Sequence, residues 1–315
     1  MRRTTISSLG LIAILAAACT SAGSSVAPSA ASPSAAAVST APSVEPSATP
    51  DACAAANLTL TAPGTLTIGT DNPAYPPYYS ENADGHKTAP WELGDPTNGL
   101  GFESAFAYAV ADQLGFSKDK VAWTYVPFDS SYAPGAKTFD IDVNQVSATP
   151  ERAAAVDLSD GYYFVNQAVV SLADNPVASV TSTAALAAFR FGAQTGTTSY
   201  KTITDVIKPT AEASLYDSND AAIAGLKAKQ IDAIVVDLPT AFYMAAAQLD
   251  NGKVVGQFPA PTGADAEHFS VVLPKGSALT TCINGAIKAI TDDGSLAAIT
   301  KEWLSDKVSA PVFTP

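Results

Sequence analysis

Asp232-Ala233-Ile234-Val235-Val236-Asp237-Leu238-Pro239 decides how this chain is read. Ala233 to Val236 are apolar without alternation, so a strand built from them is covered on both faces, as central parallel strands beneath helices are. A helical pattern, Ala221 to Lys229, precedes it. Before that a strand from Arg190 to Gln194 runs into the turn Gly196-Thr197-Thr198. Further toward the N-terminus, Leu66-Thr67-Ile68-Gly69 is a short strand leading into a Pro- and Tyr-rich loop, Asn72 to Tyr79. Phe102, Phe106, Val110 and Leu114 recur at the spacing of one helix face, and Gly115 is the stop. Val121 to Val126 and Phe139 to Val146 read as strands. Strand–helix alternation of this kind predicts an α/β architecture with parallel sheets.

Two extended segments, Asn166 to Ser171 and Phe269 to Leu273, bracket a self-contained βα block of roughly 100 residues. If both cross between lobes, the chain builds one lobe, leaves for a second and returns. Such a double crossover is a hinge, with the cleft between the lobes as the natural ligand site. The expected boundaries are lobe 1 over 57–168, lobe 2 over 169–270, and a return to lobe 1 with C-terminal helices over 271–315.

A hydrophobic fraction of 47% across 315 residues is enough for a large buried core. The formal net charge of −13 argues against nucleic acid, which requires clustered Lys and Arg. Arg2 and Arg3, the apolar run Leu9 to Ala18 and then Cys19 have the layout of a signal peptide, 1–18. The run is too short to span a bilayer as a stable helix. Ala16-Ala17-Ala18-Cys19 resembles a bacterial lipobox, in which the Cys becomes the acylated first residue. Ala16 stands where that motif usually has Leu, and conventional cleavage after the Ala run is the alternative. Thr20 to Pro50 is mostly Ser, Ala, Thr, Pro and Val with the single charge Glu45. It reads as a disordered tether within a segment, 19–56, ahead of the first lobe. Cys53 and Cys282 then remain. Two cysteines in an exported chain suggest one disulfide, the alternative being two buried thiols.

In open α/β sheets, ligands sit beyond the carboxyl ends of strands. Asp71, the stretch Ser147 to Arg152, the stretch Gln194 to Thr198, and Asp237 all fall there. Together they suit a zwitterion. Beyond the leader the chain has two arginines, Arg152 and Arg190, and a guanidinium fork pairs a carboxylate with two parallel hydrogen bonds. Thr197 and Thr198 offer hydroxyls and backbone N–H groups to the same anion. Asp237 is placed to accept from an ammonium, and Tyr75, Tyr78 and Phe128 to cover the side chain. Simpler readings stand beside these: Asp237 and the threonines as helix caps, Arg152 as a solvated first-turn residue. His86 and His268 are isolated, which fits surface or packed histidines better than ligands.

One set of motifs occurs in a specific order. Gly69-Thr70-Asp71 with Tyr75-Pro76-Pro77-Tyr78 is followed by Gly101-Phe102-Glu103, Phe139-Asp140 and Thr149-Pro150-Glu151-Arg152-Ala153. Then come Asp157-Leu158-Ser159-Asp160-Gly161-Tyr162-Tyr163, Gly192-Ala193-Gln194-Thr195-Gly196-Thr197-Thr198 and Asp237-Leu238-Pro239-Thr240-Ala241. This order resembles the family 3 extracellular solute-binding proteins of polar amino-acid ABC importers, over about residues 58 to 308. The resemblance implies a two-lobed periplasmic-binding-protein-like fold, each lobe a mainly parallel sheet flanked by helices. It implies an amino-acid ligand, a membrane permease as partner, a monomer, and no cofactor or metal. It maps the carboxylate-binding Arg onto Arg152, assisted by Ser147 and Thr198, and the ammonium-binding Asp onto Asp237. The side-chain end maps onto Asp71, Tyr75, Tyr78, Phe128 and Gln194. Gln145 replaces a usually small residue and is expected at the pocket, and Ser80 to Asn98 and Ser130 to Lys137 are longer than usual.

The alternatives are an enzyme on the same fold, such as a cyclohexadienyl dehydratase, and a sensory ligand-binding module. The chain has no G-x-S-x-G, no H-E-x-x-H and no closely spaced Cys or His ligands, so a non-enzyme is expected. A sensory module usually adjoins a transmembrane helix, and no such apolar stretch occurs after the leader.

Overall fold

A computed structural model describes residues 51–259, 263, 266–304 and 309–315. The leader, Cys19 and the tether through Pro50 lie outside the described residues. The first lobe opens with β1 (Leu66–Thr70), followed by α1 (Phe102–Gln113), β2 (Val121–Tyr125), α2 (Phe128–Tyr132), β3 (Ile141–Asp142), α3 (Pro150–Ala155) and β4 (Asp157–Phe164). The chain then enters the second lobe with β5 (Gln167–Leu172), α4 (Thr183–Leu186), β6 (Phe191–Gln194), α5 (Thr198–Lys201) and β7 (Ser214–Tyr216). That lobe continues through α6 (Asn219–Lys227), β8 (Ala233–Asp237), α7 (Leu238–Tyr243) and β9 (Gly252–Gln257). It returns with β10 (His268–Leu273), α8 (Leu279–Asp292) and α9 (Ser295–Trp303).

Each lobe holds one five-stranded sheet, in the orders β2-β1-β3-β10-β4 and β7-β6-β8-β5-β9. The three strands linked through helices pair in parallel in both sheets. The strand that enters each sheet straight from the other lobe, β5 or β10, pairs antiparallel with its neighbours. Parallel pairing needs a crossover helix, and a chain arriving directly has none. The sheets are therefore mixed, and β8 sits at the centre of its sheet, parallel to β6 and antiparallel to β5.

The expected crossover segments turn out to be the first strands after each crossing. The passages themselves lie between Phe164 and Gln167 and between Gln257 and His268. A second shift concerns the C-terminus. Val312 bridges to Gln257 and Thr314 to Ser182, and Phe313 is buried in the second lobe against Phe258. The chain end thus packs on lobe 2, not on lobe 1. Its apolar Phe313 finds cover there beside Gly256, where a β-carbon would collide with the ring.

The helix face predicted from Phe102, Phe106 and Val110 is buried, with Phe106 stacked on Tyr162 at 4.2 Å between ring centres. Ile283, Ile287 and Ile290 of α8 close the same core. Each such side chain contributes about 1.5–3 kcal/mol by leaving water. The start of α1 needs Gly101: its φ is +98°, and a β-carbon would lie 2.4 Å from the Tyr78 carbonyl oxygen. Cys53 and Cys282 are joined as a disulfide, tying the chain ahead of β1 to α8 across 229 positions. The expected strand from Phe139 to Val146 is reduced to Ile141–Asp142. Gln145 adopts φ +48°, a left-handed conformation that interrupts the strand before Ser147 bridges to Phe269, and Asp140 spends its carboxylate on the N–H groups of Thr61 and Thr67.

Candidate functional site

Strand ends from both lobes converge on one cavity. Asp71 follows β1, Gln145 and Ser147 follow β3, Gln194 ends β6, and Asp237 ends β8; all line it. Tyr75, Phe128, Arg152, Thr197 and Thr198 line it too. Tyr78 does not. It is fully buried, its ring edge-on to Phe269 and its hydroxyl 3.3 Å from Thr240 Oγ1, so it belongs to the core beneath the cleft.

Arg152 stands in the first turn of α3. Pro150 opens that helix, and Thr149 Oγ1 caps it by accepting from the Arg152 N–H. The guanidinium is buried, not solvated. Nη1 donates to the Ser147 carbonyl at 2.6 Å and Nη2 to the Gly196 carbonyl at 2.9 Å, one acceptor from each lobe. Its face lies 4.3 Å from the Tyr132 ring centre and 5.5 Å from that of Phe128. Burial pulls its pKa below the usual arginine value. Two of its five N–H donors are committed to these backbone carbonyls. The other arginine, Arg190, is spent on the surface, forked onto Asp232 at 2.9 and 3.0 Å. That fork holds the Asp232 carboxyl down at about 2.

Asp237 makes no capping bond to α7. Its Oδ1 accepts from Gln167 Nε2 at 2.7 Å, and its carboxyl is pushed well above the ordinary value, first by burial and then by the nearby Glu267 charge. Thr197 does cap a helix: Oγ1 accepts from the Tyr200 N–H at 3.3 Å and donates to the Gln194 carbonyl at 2.7 Å. Thr198 Oγ1 donates at 2.5 Å, and Ser147 Oγ at 2.8 Å, to one oxygen of Glu267.

The side-chain end is acidic. Asp71 is raised to about 6, chiefly by burial, with Asp129 adding to the shift. An outer recess shares Asp71, Tyr75, Phe128 and Gln194 with the cavity and adds Asp129 and Asp217. Asn144 also lines the cavity, and its buried Nδ2 has no partner among the described residues. Gln145 turns its amide away, onto Glu103, which also accepts from the Gln145 N–H at 2.8 Å and from the Tyr162 hydroxyl. Glu103 lies fully buried beneath the site and is raised to about 7 by that burial.

Sequence reading missed Glu267, Gln167 and Tyr132. Glu267 sits in the second passage between lobes and Gln167 is the first residue of β5, at the start of a strand, so the ends of strands give no cue to either. Tyr132 lies within the lengthened stretch Ser130 to Lys137. Its hydroxyl donates to the Gly196 carbonyl at 3.2 Å, and Gly196, at φ +77°, leaves no room for a β-carbon beneath it. Among the described residues no group of three or more His, Cys, Asp or Glu is placed to hold a metal ion. No helix among them is long and apolar enough to cross a membrane.

Two mixed sheets joined by two passages, with charged groups of both signs facing one cleft, define a two-lobed α/β ligand-binding protein. The family model of bacterial extracellular solute-binding proteins, family 3, matches residues 66–306, and the chain belongs to that family. It is similar to the L-cystine-binding protein TcyJ of Escherichia coli (strain K12), 26% identical over 249 residues, covering 78% of this chain and 85% of that one. It is likewise 26% identical over 256 residues to the arginine-binding extracellular protein ArtP of Bacillus subtilis (strain 168), covering 80% and 95%. Among solved structures, an ancestral arginine-binding protein bound to arginine matches with a TM-score of 0.60 and 27% identity, covering 76% of this chain and 97% of that one. An ancestral amino acid-binding protein described as a precursor of cyclohexadienyl dehydratase matches at 0.59 and 27%, covering 76% and 94%.

Proposed function

We propose that the cleft captures one α-amino acid outside the membrane and that the protein delivers it to the permease of an ABC importer. The observation that carries this reading is that Arg152 of the first lobe and Asp237 of the second face the same cavity. The free N–H groups of Arg152 take the carboxylate, Asp237 takes the ammonium, and Tyr75 and Phe128 cover the side chain. Asp71, Asp237 and Glu267 set three carboxylates against the single guanidinium of Arg152, which favours a ligand whose side chain is cationic or rich in N–H donors. Mass spectrometry of ligand released on denaturing the purified protein, followed by calorimetry with the twenty L-amino acids, tests this. A panel that gives no heat with ligand-free protein would sink it. Because ligand draws two lobes together, small-angle scattering should also show a smaller radius of gyration on saturation.

In this reading the protein works as a monomer held at the membrane by acylated Cys19, with the Cys53–Cys282 bond formed on export. Intact-mass analysis of protein taken from its own membranes reads both features: no acyl mass, or two alkylatable thiols, would remove one or the other. Binding proceeds without conversion of the ligand, so prephenate and arogenate should be recovered unchanged after incubation.

A further inference from the structure

Glu267 lies in the second passage between lobes and does not itself line the cavity. One of its oxygens, Oε1, accepts from Ser147 Oγ of the first lobe at 2.8 Å and from Thr198 Oγ1 of the second at 2.5 Å. Both of those hydroxyls do line the cavity, 3.5 Å apart. A hydroxyl has one hydrogen to give and two lone pairs to receive with. With their hydrogens committed to Glu267, Ser147 and Thr198 face the ligand as acceptors only. Gln167 reinforces the arrangement. Its Nε2 stands 2.7 Å from Asp237 Oδ1 and 3.2 and 3.3 Å from the two Glu267 oxygens, and its Oε1 accepts from Ser199 Oγ at 2.7 Å. The amide is thereby fixed as a neutral spacer between two carboxylates.

We propose that Glu267 is a specificity-determining residue that sets the hydrogen-bond polarity of the cleft, turning two hydroxyls expected to serve a ligand carboxylate into acceptors for a ligand amine. The inference rests on the amino-acid reading of the cleft and refines it. Arg152 is left to hold the carboxylate without hydroxyl help, while Asp237, Ser147 and Thr198 together accept from nitrogen. A ligand that keeps its amino groups and lacks the carboxylate therefore loses its pairing with Arg152 but nothing at the hydroxyls of Ser147 and Thr198. Glu267 acts through Ser147 and Thr198 and is a positioning residue.

The test is calorimetry on full-length exported protein, wild type, Glu267→Ala and Glu267→Gln, with L-arginine and its decarboxylated amine agmatine as probes. Glu267→Ala releases both hydroxyl hydrogens toward the cavity. A hydrogen bond to a charged group is worth about tenfold or more in affinity. Glu267→Ala should therefore tighten L-arginine by about tenfold or more relative to agmatine. Glu267→Gln keeps an acceptor oxygen at the same place and should leave that ratio near wild type. Thr198→Val supplies an independent reading: in wild type it should weaken L-arginine and agmatine alike, because it removes an acceptor that both amines share, and it should erase much of the gain in the ratio in the Glu267→Ala background. Weaker binding of both probes to Glu267→Ala, or an unchanged ratio, would overturn the inference while leaving the amino-acid reading intact. Failure of wild type and all variants to bind either probe or any amino acid of the panel would overturn both. Melting curves of the unliganded variants separate a general loss of structure, which moves both probes together, from the predicted change in ratio.

Discussion

Replacing Asp237 by Asn keeps the shape of the side chain and its bond from Gln167 while removing the charge. Two effects of opposite sign follow. In the unliganded protein the carboxylate is an energetic burden: burial and the neighbouring Glu267 raise its pKa well above the usual value. A carboxyl raised in the folded state contributes stability below its unfolded value, near 4, and loses it as pH rises through the folded one. The wild type therefore loses stability as pH rises above that unfolded value, and Asp237→Asn does not. The variant should melt at a higher temperature than wild type at pH 8, with the gap shrinking toward pH 5. Binding moves the other way. The ligand ammonium loses the buried counter-charge of Asp237, and leaving such a charge desolvated and unpaired costs about 3–5 kcal/mol. That is a loss of hundreds- to thousands-fold in affinity, read by calorimetry with the tightest amino acid of the panel. A variant that melts lower than wild type at pH 8 and binds normally would refute both halves of the argument.

Two further outcomes are expected. Glu103 is held near pKa 7 by burial, against 4.5 for a free Glu, so it too favours the fold in acid, and about 3 kcal/mol of that preference disappears as pH climbs from roughly 4.5 through 7. Glu103→Gln should flatten the fall in unfolding free energy over this window, measured by urea titration at several pH values; an unaltered slope would show that Glu103 does not govern it. Phe313 packs on Phe258 with ring centres 5.2 Å apart and is 3% exposed, so Phe313→Ala should cost about 3 kcal/mol or more in the same titration. A cost under about 1 kcal/mol would mean the C-terminal segment is not part of the second lobe's core.

Ala233 to Val236, the stripe Phe102-Phe106-Val110 and the turn Gly196-Thr197-Thr198 announced their elements because burial on both faces, helical spacing and a helix start leave local marks in sequence. The placement of Asp71, Arg152 and Asp237 at one cleft was legible for a related reason: strand ends in α/β sheets point to the same side, so residues just beyond them meet. The destinations of particular atoms were not legible. Nothing local to Tyr78 distinguishes a cavity wall from a core ring. Packing against Phe269 decides it. Gln145 turned toward Glu103 because a fully buried carboxylate needs donors, and that demand arises only once α1 is docked. The C-terminal segment carries one aromatic, Phe313, and which lobe receives it depends on where an uncovered surface remains. Glu267 is the sharpest case. Its neighbours Ser147, Gln167 and Thr198 are 120, 100 and 69 positions away in the chain. Local sequence fixes backbone periodicity and the ends of elements, but the direction of a hydroxyl's single hydrogen is settled by which acceptor the tertiary fold brings within reach.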